Sequence, residues 1–124
     1  MEKICLDSDV AFDFLRGEQN IVEKLKYYAS REEICINALT MIQLVAAIRK
    51  QDVAHAFVNS VTVLELNITA AGIATQILQE LKEKGYSSKN VDHVLTAAMC
   101  IANNAFLITK DRKKFEGIKG LKLV

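Results

Sequence analysis

The feature that most constrains this chain is an alternation. Short apolar runs, "KICLD", "EEICINA", "VTVLEL" and "AFLIT", with "LKLV" as an edge candidate, are separated by segments of helical character. Helices are expected at "VAFDFLRG", stopped by Gly17, at "NIVEKLKYYA", and at "TMIQLVAAIRK" with "DVAHAFVNS" behind it. The longest helical signal is "TAAGIATQILQELKEKG": Ile73, Ile77, Leu78 and Leu81 recur on one stripe and Gly85 stands where a C-terminal glycine belongs. "NVDHVLTAAMCIANNA" reads as a buried, alanine-rich helix. Strands alternating with helices predict an α/β fold, a mostly parallel sheet of four to five strands with helices on both faces.

Size and composition narrow the rest. A chain of 124 residues suits one domain, 1–124, and no proline or low-complexity tract marks a boundary. With 51% apolar and 25% charged residues, disorder is excluded. The formal charge of +1 gives no whole-molecule attraction for nucleic acid, so any such binding needs a local patch. The start "MEKICLDSD" lacks the apolar core of a secretory leader, and no run approaches the roughly 20 apolar residues that span a bilayer. Cys5, Cys35 and Cys100 are odd in number, widely spaced and set in apolar stretches. They read as buried thiols of a cytoplasmic protein rather than a zinc or disulfide framework.

In an open parallel sheet, ligands bind beyond the carboxyl ends of the strands. Asp7 and Asp9 follow the first strand, Thr109 ends the fourth, Asp111 comes two residues later, and Asp92 opens the helix feeding that strand. Carboxylates gathered without matching Lys or Arg repel one another unless divalent cations neutralise them, and hard oxygens suit Mg²⁺ or Mn²⁺. Each acid also has a plain structural reading. Asp7 and Asp9 can start a helix, Asp92 can sit in a first turn for its dipole, and Asp111 can belong to a turn. Taken together at strand ends, a metal site is at least as good an account.

The residues in order then point to a family. "LDSDVAFDFLRG" resembles the opening of PIN domains, especially VapC-type toxins, whose first strand ends in Asp-Thr-Asn before an apolar helix and Arg-Gly. "INALTMIQLVAAI" is similar to their second motif, Ser/Thr-x-x-Glu-Leu at a helix start, and "NVDHVLTAAMCIANNAFLITKDRKKFEGIKGLKLV" to their third and fourth. "ELKEKGYSSKNVD" matches the approach to the third acid. The resemblance spans nearly the full length and implies a three-layer PIN-like fold. It also implies endoribonuclease activity dependent on Mg²⁺ or Mn²⁺, leaving a 5′-phosphate and a 3′-hydroxyl, a cognate small antitoxin protein and a homodimer.

Carried over by position, Asp7, Asp92 and Asp111 match the metal-binding acids, and Thr109 the polar residue beside them. Three positions depart from the pattern. Gln43 stands for the second-motif Glu, Asp9 for an Asn, and Lys114 for a further acid before the Phe. Asp9 returns the charge lost at Gln43, or else the enzyme is weakened. Gln43 also has a plain reading, as partner of Thr40 in a capping box, Thr40-x-x-Gln43.

Between Lys110 and Lys122 stand six basic residues against two acids, Asp111 and Glu116. Lys110, Arg112, Lys113 and Lys114 are candidate RNA contacts, with Arg16 at the end of the first helix as another. His93 reads as a surface residue. The expected dimer patch surrounds Leu25, Tyr28 and Leu44. Two functions follow: a toxin ribonuclease, or a catalytically weakened PIN domain that binds RNA or protein. A phosphoacceptor receiver domain would need an Asp after the third strand, where this chain has Leu66 and Asn67.

Overall fold

Each central strand of the computed structural model, which describes residues 1–86 and 91–124, sends alternate side chains into two separate cores. In β1 (Lys3–Leu6), Cys5 faces one core while Ile4 and Leu6 face the other. In β4 (Ala105–Ile108), Ala105 and Leu107 alternate with Phe106 and Ile108 in the same way. A strand buried on both faces reads as a continuous apolar run, as these do. With β2 (Glu33–Asn37), β3 (Thr62–Leu64) and β5 (Lys122–Leu123) they form a parallel five-stranded sheet of order β3-β2-β1-β4-β5.

The connections explain the two cores. From β1 to β3 the chain steps outward through α1 (Ser8–Leu15), α2 (Gln19–Ala29), α3 (Ala38–Ala47) and α4 (Gln51–Ser60). Val10, Leu25, Leu44 and Phe57 from these helices pack with Ile4, Leu6, Ile36 and Ile108. The chain then returns across the sheet through α5 (Ile68–Glu83) and α6 (Asp92–Ala102), whose Ala74, Ile77, Ala97 and Met99 pack with Cys5, Cys35 and Leu107. Parallel crossovers are right-handed, so reversing direction along the sheet moves the helices to the opposite face. The result is three layers, with the reversal falling between β1 and β4.

Helix ends follow the expected chemistry with one correction. Gly17 and Gly85 take positive φ (79° and 84°) just past α1 and α5, as C-terminal glycines do. The Thr40–Gln43 capping box is absent. The helix starts directly from the strand, so Asn37 is the N-cap of α3 and its Oδ1 accepts from the Thr40 amide at 2.8 Å. Thr40 is the third residue of α3 and Gln43 lies in the second turn. Asn90, read as leading into the sixth helix, and the rest of 87–90 lie outside the described residues. A second correction concerns the dimer patch: Leu25 and Leu44 are core residues, facing inward from their helices. Among the described residues no helix is long and apolar enough to cross a membrane.

Candidate metal centre

The switch point falls where the notable side chains lie. β1 and β4 run side by side in parallel with Leu6 opposite Ile108, so the next residues, Asp7 and Thr109, emerge together. The Asp7 amide continues the ladder to the Ile108 carbonyl at 2.9 Å. Asp7 is only 4% exposed, and both its oxygens are engaged: Oδ1 accepts from the Ser8 amide at 2.9 Å and Oδ2 from the Thr109 hydroxyl at 2.8 Å. The plain reading of Asp7 as N-cap of α1 therefore holds alongside its placement at the sheet edge.

Asp9 stands in the first turn of α1, accepting from the Val10 amide at 2.7 Å and from the Lys110 amide at 3.1 Å. Burial, followed by the nearby charge of Asp7, raises its carboxyl above the usual value of 3.8, against the lowering effect of those two amides. Two carboxylates thus crowd one point. Asp111 is linked to the same point through one hydroxyl, its amide donating to Thr109 Oγ1 at 3.1 Å.

Asp92 opens α6. One turn further on, Thr96 is buried and its hydroxyl accepts from Asn37 Nδ2 at 3.2 Å, below the strand ends. Residues four apart lie one above the other on a helix, so Asp92 shares that stripe, a turn nearer the start of α6. The neighbouring His93, expected at the surface, is half-buried, its ring edge-on to Phe115 with centroids 6.3 Å apart.

In this conformation, no three His, Cys, Asp or Glu side chains among the described residues stand together closely enough to hold one ion. The donors nearest the switch point are nonetheless all hard oxygens: the carboxylates of Asp7 and Asp9 and the hydroxyl of Thr109. The mutual repulsion of the two carboxylates is the condition a divalent cation relieves, so this set fits Mg²⁺ or Mn²⁺.

The basic residues are mostly engaged locally. Lys110 Nζ pairs with Asp13 Oδ2 at 2.5 Å, which raises its ammonium above the usual 10.5. Arg16 reaches the other Asp13 oxygen at 3.7 Å and lies over Phe12. Arg112 donates to the Val124 carbonyl at 2.5 Å from a short 3-10 helix, Arg112–Phe115. Lys114 Nζ stands 3.9 Å from Asp7 Oδ2, and Lys113 is exposed. Asp13, which anchors both Lys110 and Arg16, belongs to no motif, and only its i, i+4 spacing from Asp9 signals the shared helix face. Nothing in the sequence marks the Asn37–Thr96 pair, 59 residues apart.

The three thiols are buried. Hydrogen bonding to Cys100, then burial, pushes Cys5 well up, and burial with Glu33 nearby raises Cys35 to about 11. All three pack in the core, and Cys5 and Cys35 are poor in thiolate.

A three-layer parallel α/β fold with acids at its switch point defines a class of sheet-edge, acid-lined domains. The chain belongs to the PIN domain family, whose model matches residues 4–121. Comparison with curated protein sequences found no match. Among solved structures, the chain is similar to VapBC2 from Rickettsia felis bound to a DNA fragment from its promoter. That match has a TM-score of 0.82 and 22% identity, covering 98% of this chain and 97% of that one. DNA-bound VapBC from Salmonella typhimurium matches with a TM-score of 0.81 and 23% identity over 100% and 98% of the two chains. VapBC-1 from nontypeable Haemophilus influenzae matches at 0.79 and 19%, over 98% and 96%. At these identities the likeness is one of fold.

Proposed function

We propose that this chain is a VapC-type toxin, an endoribonuclease that works with Mg²⁺ or Mn²⁺. The observation that carries this reading is the buried Asp7 carboxylate, fixed by Ser8 and Thr109 at the switch point of a PIN fold. Likeness to chains from toxin–antitoxin complexes supports the toxin assignment.

In this reading Asp7 and Asp9, joined by Asp92 and Asp111 drawn closer than they stand here, would hold the cation. When bound, the cation would supply a water acidic enough to lose its proton and a positive charge for the phosphate oxygens. The rest falls to the protein. Thr109 and Ser8 fix the orientation of the Asp7 carboxylate, so little reorganisation is needed when substrate arrives. Lys113, with Lys110, Arg112 and Arg16 once their local partners give way, grips the RNA backbone.

The partner is a small cognate antitoxin, and the setting is cytoplasmic. A homodimer, with Leu25 and Leu44 committed to the core, draws on exposed apolar side chains such as Ile42 and Ile68, 59% and 88% exposed. Light scattering giving a concentration-independent monomer mass would remove the dimer.

The deciding experiment incubates purified protein with labelled RNA in Mn²⁺, Mg²⁺ or chelator, beside Asp7→Asn. Cleavage that needs the cation and disappears in the variant is expected. Uncleaved RNA that stays bound would favour the second reading, an RNA-binding PIN module, whose support is Gln43 in place of the family's Glu.

A further inference from the structure

Asp7 is a charged group almost out of water. Its side chain is 6% exposed, and two neutral donors at 2.9 and 2.8 Å satisfy its oxygens without cancelling its charge. The one ion pair it makes among the described residues is with Lys114, 3.9 Å from Oδ2. Lys114 reaches there from the 3-10 helix, with its ammonium 5.4 Å from the centre of the Phe115 ring and its side chain 43% exposed. The acids of α1 are thus balanced by the segment after β4: Lys110 on Asp13, Lys114 on Asp7.

We propose that Lys114 is a tethered counter-ion of the metal centre, occupying the cation's electrostatic place beside Asp7 in the metal-free protein and exchanging with the divalent ion on binding. The inference rests on the metal-dependent reading above and adds to it. The pair is loose enough for exchange: 3.9 Å exceeds a hydrogen-bonding distance, and a half-solvated lysine gains little from an ion pair. When the cation enters, the ammonium swings into water while its backbone stays on the 3-10 helix. Metal binding then always works against the return of this lysine, so the resting affinity is set low. A chain with an acid at this position has no such competitor.

The test is Mn²⁺ binding to the whole purified protein, followed by calorimetry and by the Mn²⁺ electron paramagnetic resonance signal, without RNA. Lys114→Gln keeps the aliphatic stem and removes the charge. It should tighten Mn²⁺ binding by roughly two- to thirtyfold, the effect of an ion pair open to solvent at its lysine end doubled for a divalent ion. Lys114→Arg should stay within about twofold of the parent, because the charge remains. Lys24→Gln, an equal charge change on the exposed side of α2, controls for net charge and should also leave binding unchanged. Unaltered affinity in Lys114→Gln, or tightening no greater than in Lys24→Gln, overturns the exchange while leaving the metal centre standing. If Asp7→Asn binds Mn²⁺ as the parent does, or if the parent binds none, the metal centre fails and the exchange falls with it.

Discussion

The Thr109 hydroxyl donates to Asp7 Oδ2 at 2.8 Å across 102 residues of sequence, because β1 and β4 lie side by side and end level. Replacing Thr109 with Val keeps the branched shape and removes the donor. The buried carboxylate then loses one of its two satisfied oxygens, which costs about 1–3 kcal/mol. Denaturant melts should show that loss, and RNA cleavage should fall with it, whereas Thr109→Ser should restore most of both. Undiminished cleavage in Thr109→Val would remove the hydroxyl from the site.

Asp9 carries a pH signature. Its folded-state carboxyl lies above the usual 3.8 through burial and the charge of Asp7. A raised carboxyl means the folded protein holds its proton more tightly than the unfolded chain. The ionised group is therefore a cost to stability above the folded value, relieved as pH falls toward 3.8. Asp9→Asn, melted in chelator, should raise the melting temperature at pH 7. The gain should shrink as pH is lowered through the raised value and be smallest below the usual one. A pH-independent difference would show that the effect is packing, not charge.

How far the sequence carried the fold depended on local patterning. The apolar runs ending at Leu6, Asn37, Leu64 and Ile108 and the stripe Ile73, Ile77, Leu81 are local signals, and they place strands, helices and the edge where Asp7 and Thr109 meet. Pairings across long separations leave no such trace. Asn37 does end β2, but nothing in the sequence shows that its side chain also caps α3 while donating to Thr96. Lys114 looks like one charge in a solvated run, and only the turn of 3-10 helix brings it to Asp7. Leu25 and Leu44 sit on amphipathic stripes, but a stripe does not reveal whether it faces the sheet or a partner.

The Asn37 result makes its own prediction. Fully buried, Asn37 both caps α3 and ties it to α6. Asn37→Ala leaves the Thr40 amide and the Thr96 hydroxyl without this partner. The lost cap alone costs about 1 kcal/mol, and the unpaired buried groups should raise the total to about 2–3 kcal/mol. Urea unfolding should show a lower midpoint at unchanged slope. Thr96→Val, which leaves the cap intact, should cost less. Equal losses would mean that the cap contributes little.

Gln43 offers the sharpest test of whether the departures from the PIN pattern compensate one another. It is half-buried in the second turn of α3, and no capping box depends on it, so Gln43→Glu changes charge at nearly constant shape. If the nuclease reading holds, the added carboxylate strengthens the attraction for a divalent cation, so Mn²⁺ binding should tighten and RNA cleavage should rise. In that reading the new carboxylate also adds repulsion toward Asp7 and Asp9 when no cation is bound, so the metal-free protein should melt slightly lower and recover on adding Mn²⁺. Asp9→Asn alone should weaken Mn²⁺ binding. In the Gln43→Glu background it should weaken it less, because the introduced carboxylate supplies the charge that Asp9 otherwise provides. A double-mutant cycle measures that difference directly, and groups sharing one site should show coupling of about 0.5–3 kcal/mol. Strict additivity, together with an Asp92→Asn variant that binds Mn²⁺ as the parent does, would mean that these acids do not form one centre.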